Sequence, residues 1–243
     1  MPALDGSRIL VAGGAHRVGR ALALDMAAGG ADVFLSYHSS AGPAEQTRAE
    51  IEALGRRSGV VRADAADPLN MAAMVEAAAR EFGGLDVYVH CPSGGFEPRN
   101  PADVDEALWD AAVDSTAKGF MFAAQAAHRV MAAAGCGVIV AITDVAGLQP
   151  WAKFAPHGAA KAAQIHLVKS LALAWGRDGV RVCGVAPGPV LMPEGIAGNP
   201  DETALGRLGS PADVAQALRF CIEADFVTGQ NIVVDGGFSS VTI

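Results

Sequence analysis

Arg8-Ile-Leu-Val-Ala-Gly-Gly-Ala-His-Arg-Val-Gly19 is the stretch that decides the fold. An apolar run from Arg8 to Ala12 reads as a strand, glycines turn the chain, and helical periodicity then runs from Val18 to Ala28. A strand that turns on glycine into a helix lets backbone amides approach a pyrophosphate at the helix N-terminus, with Gly13, Val18 and Gly19 around it. The same glycines also suit a tight left-handed turn that binds nothing.

Outward from this unit the pattern repeats. Apolar runs at Asp32–Ser36, Gly59–Arg62, Asp86–His90, Gly137–Ile142, Val180–Val185 and Asn231–Asp235 are further strands, mostly apolar on both faces as buried parallel strands are. Helical spacing occupies Ala44–Leu54, Pro68–Phe82, Val104–Ala133, Ala159–Gly176 and Pro211–Ala224. The alternation predicts an α/β fold: one Rossmann-type doubly wound sheet of about seven parallel strands with helices on both faces. No repeat, low-complexity tract or linker divides residues 1–243, so a single domain is expected. The Pro- and Gly-rich stretch 189–209 is its least regular part and reads as a mobile substrate loop at the sheet's carboxyl edge.

Composition narrows the function. The chain of 243 residues carries a formal charge of −8 and 51% hydrophobic residues, and its pI is near 5.2. Without clustered Lys and Arg, neither a nucleic-acid surface nor a polybasic membrane contact is expected, and small molecules are the expected partners. No apolar run is long enough to span a bilayer, and no signal sequence is expected from the residues at the start. Cys91, Cys136, Cys183 and Cys221 lie far apart without metal-ligand spacing, so no metal is expected and they read as buried thiols of a cytoplasmic protein.

Cofactor choice is read from the end of the second strand. NAD-specific sites place an acid there for the ribose hydroxyls, but this strand ends Ser36-Tyr-His-Ser-Ser40. With no acid to repel a phosphate, with Arg17 in the glycine turn and with His38 and Ser39 beside the ribose position, NADP(H) is favoured over NAD(H). Arg17 as a solvated first-turn residue is the alternative.

The whole chain resembles the short-chain dehydrogenase/reductase family. The matches are the glycine turn, Asp64 after the third strand, Asp86-Val-Tyr-Val, Ala186-Pro-Gly-Pro-Val190 and Val227-Thr-Gly-Gln-Asn-Ile-Val-Val-Asp-Gly-Gly237. Within the family it is most similar to the pteridine-reductase branch, through Arg17, Tyr37-His-Ser, aspartate at Asp144, and Pro187-Gly-Pro-Val-Leu-Met-Pro-Glu194. The resemblance implies NADPH in the crevice, Asp64 near the adenine, Lys161 on the nicotinamide ribose, and Pro187, Gly188 and Val190 around the carboxamide. It also implies a homo-oligomer, a tetramer or dimer, with paired long helices at the contact.

The departures from that family concern chemistry. Asp144, His157 and Lys161 occupy the spacing of its serine, tyrosine and lysine, and no Tyr-x-x-x-Lys exists anywhere in the chain. The turn Asn-Asn-Ala-Gly is replaced by His90-Cys-Pro-Ser93, where Pro92 lacks a backbone donor. The family's active-site asparagine falls at Thr116, whose hydroxyl cannot reproduce an amide's paired donor and acceptor. Histidine titrates near neutrality and can move protons, and an Asp144–His157 hydrogen bond would orient its ring. Its tip falls roughly an ångström or two short of a phenol oxygen, a misplacement that can cost ~10²-fold in rate.

The leading expectation is an atypical NADPH-dependent reductase of a small cyclic carbonyl or imine. Asp144, His157, Lys161 and Thr116 are its catalytic candidates, Trp151 and Phe154 would line a flat pocket, and Met192 and Glu194 would close over it. Two alternatives stay open: non-redox lyase, isomerase or cyclase chemistry by an Asp144–His157 acid/base pair, and a catalytically silent nucleotide-binding protein. In the silent case His157 is a polar residue at the crevice mouth and Lys161 a surface lysine.

Overall fold

A computed structural model of the chain describes residues 4–190 and 198–240. Seven strands occur among them: β1 (Arg8–Ala12), β2 (Asp32–Tyr37), β3 (Ser58–Arg62), β4 (Val87–His90), β5 (Gly137–Ile142), β6 (Val180–Pro187) and β7 (Asn231–Val234). All pair in parallel, in the order β3-β2-β1-β4-β5-β6-β7. β1 therefore lies between β2 and β4, and the connections diverge there, opening a crevice at the carboxyl ends of the strands.

Helices cover both faces: α1 (Arg17–Ala28), α2 (Ala41–Ala53), α3 (Pro68–Phe82), α4 (Glu106–Val113), α5 (Gly119–Ala134), α6 (Ala155–Trp175) and α7 (Pro211–Glu223). Strand alternation divides the core in two. Ile9, Val11, Val87 and Val89 face Leu22 and Met26 of α1 and Leu218 of α7. Leu10, Tyr88 and Ile139 face Met74 of α3, Phe120 of α5 and Val168 of α6. Each such fully buried apolar side chain contributes ~1.5–3 kcal/mol, which makes the sheet the rigid part of the molecule.

Two helix boundaries at the crevice differ from the sequence expectation. The helix expected over 104–133 is interrupted by a π-turn at Asp114–Lys118 between α4 and α5. Gly119 follows it, and a Cβ there would run into the Ala65 carbonyl, so the backbone after β3 packs directly on the helix. α6 begins at Ala155 rather than Ala159, because Pro156 is accommodated in a first turn where its missing N–H costs nothing. His157 consequently stands inside the helix, one turn before Lys161.

The loop expected at 189–209 is seen in part. Met192 and Glu194 lie outside the described residues. The part that follows is tied down: Gly209 N–H donates to Pro189 O at 3.0 Å, Leu205 N–H to Gly236 O at 3.0 Å, and the Thr203 hydroxyl to Arg207 O at 2.9 Å. Cys183 and Cys221 are buried as expected, whereas Cys91 and Cys136 are only half-buried; all four are free thiols. No helix among the described residues is long and apolar enough to cross a membrane.

A buried cation closes one helix end. Arg181 of β6 donates from Nη1 to Cys221 O at 2.6 Å and Val227 O at 3.0 Å, and from Nη2 to Ile222 O at 2.5 Å. These include carbonyls of the last turn of α7, which have no partner within the helix and lie at its negative end. Arg181→Met is expected to lower the unfolding free energy by about 3 kcal/mol in a urea titration; a loss below about 1 kcal/mol would show that water satisfies these carbonyls equally well.

Candidate active site

Asp144 follows β5 and serves two neighbours. Its Oδ1 accepts from the Ala146 backbone N–H at 2.8 Å, capping a short 3₁₀ turn, and its Oδ2 lies 3.3 Å from His157 Nε2. The cap fixes the carboxylate, and the fixed carboxylate selects the direction of the imidazole. His157 is 3% exposed, so it is not a polar residue at the crevice mouth. Its Nδ1 has no hydrogen-bond partner among the described residues.

Lys161 is likewise no surface lysine. It is 3% exposed, and its Nζ donates to Ile142 O at 2.8 Å and contacts Gln164 Oε1 at 3.4 Å. Burial lowers its pKa to about 8, against the opposing pull of the nearby Asp144 carboxylate. The same buried charge acts on its surroundings. His90, fully enclosed, is lowered to about 3 by burial and then by Lys161. The Cys91 thiol is pushed up to about 12 by burial, with Lys161 opposing.

Thr116 is fully buried in the π-turn, with Oγ1 3.5 Å from Ser93 Oγ. The turn after β4 is held without a donor from Pro92: Cys91 N–H continues the ladder to Ala12 O at 3.1 Å, and Gly94 N–H donates to Ser115 Oγ at 2.8 Å. The π-turn and residues 92–94 thus form one wall.

That wall encloses a cavity of about 300 Å³ whose other sides are Gly13, Tyr37, His38, Ser39 and Asp64. The glycine turn is anchored on β2, with Gly13 N–H donating to Ser36 Oγ at 3.2 Å and Gly14 N–H to Ser36 O at 3.1 Å. A Cβ at Gly19 would strike the Gly13 carbonyl, so only glycine allows α1 to start this close to the turn. Arg17 takes a left-handed φ of 49°, a strained conformation for a residue with a side chain and one that concentrates at ligand-holding turns. Gly13, His38, Ser39 and Asp64 of the expected cofactor residues therefore share one cavity. Arg17, Val18 and Gly19 stand at the start of α1 beside it. Pro187, Gly188 and Val190 lie apart from it, at the end of β6, where Gly188 N–H donates to Val234 O at 3.0 Å. The cavity and its crowded glycine turn fit the adenosine and pyrophosphate portion of a dinucleotide.

Two neighbours had no sequence signal. Arg62 ends β3 opposite Tyr37 in the strand register and donates from Nε to His38 O at 3.1 Å, beside the His38–Asp64 pair at 3.8 Å. Phe96 comes from an aperiodic loop; its ring meets His157 edge-on at 4.9 Å and stacks on Phe154 at 4.7 Å. Trp151 continues the aromatic wall, 6.1 Å from Phe154.

A family model described as Enoyl-(Acyl carrier protein) reductase matches residues 13–239. The chain is 36% identical to an L-rhamnose 1-dehydrogenase (NAD(P)(+)) of Sphingomonas sp. (strain SKA58), over 98% of each chain. It is 34% identical to a cis-4-hydroxycyclohexanecarboxylate dehydrogenase of Sinomonas cyclohexanicum, over 96% of each. A crystal structure of a short chain dehydrogenase from Burkholderia cenocepacia J2315 in complex with NADP superposes with a TM-score of 0.91 at 33% identity, covering 98% of this chain and 100% of that one.

The burial of Lys161 has a measurable cost. Its folded-state pKa of about 8 lies below its ordinary value of 10.5, so the folded protein holds the costly charged form below about pH 8 and sheds it above. Stability from this group therefore rises with pH between about 8 and 10.5. Lys161→Met is expected to be more stable than the parent at pH 7 by up to ~3 kcal/mol, and that gap should shrink by pH 10 in chemical denaturation. A gap independent of pH would contradict a buried ammonium.

Proposed function

The chain belongs to the short-chain dehydrogenase/reductase family, and from this premise we propose that it is an NADPH-dependent reductase of a small cyclic carbonyl or imine, with the Asp144–His157 pair as its proton device. The observation that carries this reading is the buried 3.3 Å contact between His157 Nε2 and Asp144 Oδ2, with Nδ1 left without a partner among the described residues. Asp144 accepts a hydrogen bond from Nε2–H, so the buried Nδ1 is the nitrogen left to trade a proton with a substrate. In reduction the positively charged ring gives its Nδ1 proton to the carbonyl oxygen or imine nitrogen, while Asp144 steadies the charge before transfer. A bound nicotinamide would supply the hydride. Lys161 would hold its ribose, and Thr116 would line the wall beside it.

The NADP(H) preference over NAD(H) is supported by the absence of an acid at Tyr37–Ser40 and by two basic groups at that place, His38 and Arg62, with Arg17 at the adjoining turn. The wall of Phe96, Phe154 and Trp151 supports a small flat ring as substrate, in keeping with the pteridine-reductase resemblance. The free thiols support a cytoplasmic setting. Exposed Trp109 on α4 and Phe122 on α5 support a homo-oligomer, dimer or tetramer; a monomer in light scattering would contradict that.

Calorimetric titration is expected to show NADPH binding at least about tenfold tighter than NADH, with Arg17→Ala and Arg62→Ala each narrowing the gap, since each removes a charge-assisted contact to the phosphate. Equal affinities would remove the NADP preference, and no binding of either nucleotide would sink the reductase reading.

On a panel of small cyclic ketones and imines, NADPH oxidation is expected to fall by about 10²-fold in both His157→Phe and Asp144→Ala, and to persist or rise in His157→Tyr. Turnover without NADPH consumption would instead support non-redox use of the same pair, and cofactor binding without any turnover would support a silent nucleotide-binding protein.

A further inference from the structure

The reaction proposed above requires His157 Nδ1 to meet a substrate, yet that atom is buried and the whole residue is 3% exposed. Asp144 lies against Nε2, and the ring that packs on the imidazole is Phe96, edge-on at 4.9 Å between centroids. A phenyl ring gives Nδ1 no strong hydrogen bond, and a buried polar atom without a partner is costly. The contact with Phe96 is therefore a resting arrangement, not a reacting one.

Phe96 ends a row of four aromatic rings. Phe238 packs on Trp151 at 6.1 Å, Trp151 on Phe154 at 6.1 Å, and Phe154 stacks on Phe96 at 4.7 Å. The first three are half-buried, whereas Phe96 is 41% exposed and is the least confined of the row. Its backbone root is fixed. Gly94 N–H is tied to the Ser115 hydroxyl, and a Cβ at Gly94 would strike the Ala111 carbonyl and one at Gly95 the Cβ of Ala112, so both glycines lie directly on α4. On the far side Arg99 N–H donates to Lys153 O at 2.8 Å, next to Phe154. Between these ties the backbone of residues 95–98 makes no hydrogen bond among the described residues. Phe96 also borders a cavity of about 490 Å³ together with Gly95, Leu108 and Ala111, which gives its ring room to turn toward α4.

We propose that Phe96 is a specificity-determining cover of the active site: its ring closes over His157 in the free protein, and a substrate reaches Nδ1 by displacing it toward α4. A flat ring that takes this place inherits both contacts of Phe96, the stack on Phe154 and the packing on His157. A puckered ring loses the stack and does not compensate for the displaced phenyl. The cover thus selects substrates of its own thickness. The choice of substrate rests on the reductase reading above; the covering of His157 does not.

Diethyl pyrocarbonate acylates the neutral imidazoles it can reach, and peptide mass mapping reads each histidine separately. In the parent protein His157 is expected to react at least about tenfold more slowly than exposed His38. Phe96→Ala is expected to raise the His157 rate by at least about tenfold, while fully buried His90 stays unreactive in both proteins. Equal rates for His157 and His38 in the parent, an unchanged His157 rate in Phe96→Ala, or a rise that His90 shares overturns the proposal. On a panel of cyclic ketones, Phe96→Ala is expected to narrow the kcat/KM preference for flat over puckered rings of equal size by about tenfold. An unchanged preference overturns it as well. Should the parent turn over no ketone or imine, the reductase reading fails by itself, and the acylation rates alone decide the cover.

Discussion

One buried ammonium organises the crevice. Lys161 is taken out of water and given a carbonyl at the end of β5, a carboxamide on its own helix and a carboxylate within electrostatic reach. His90 stays uncharged, and Asp144 provides the negative charge. A charge this deep is expensive unless it is both paired and hydrogen-bonded, which ties the end of β5, the start of α6 and the turn at Asp144 into one unit. The position of His157 follows from that unit, since it lies one helical turn before the lysine and leans on the same carboxylate.

The second organising element is a local irregularity. The π-turn at Asp114–Lys118 interrupts the helix expected over residues 104–133 and stands beside the turn at 91–94. The altered turn at 91–94 is accommodated by this same irregularity, because the Ser115 hydroxyl supplies the acceptor that Gly94 N–H requires. Pro92 and the π-turn are thus two halves of one local solution, and both line the cavity.

Much of the fold was legible in the chain because parallel strands and amphipathic helices leave periods of their own. All seven strands and the glycine turn fall where the apolar runs place them. The π-turn was not legible: Asp114-Ser-Thr-Ala-Lys118 carries ordinary helix-compatible residues, and the widening depends on packing against Ala65, β4 and the 92–94 turn. The start of α6 was misjudged at Pro156, which ends helices in their interior but is tolerated in a first turn. Asp144, His157 and Lys161 lie together in the structure, and the burial of His157 and Lys161 did not follow from polar residue type. Arg62 and Phe96 were invisible for a different reason. Each reaches its neighbours only through tertiary contacts, a strand register in one case and a loop path in the other.

The burial of Tyr88 beside His90 has a consequence for chemical labelling. The chain contains two tyrosines, and one of them is sealed in the core with its hydroxyl engaged. The other, Tyr37, is half-buried on the wall of the cavity. Phenol-directed reagents thus meet a single accessible ring in the native protein, and that ring stands at the cavity itself. The scarcity of tyrosine in this chain also gives the cavity an intrinsic, site-specific chemical handle.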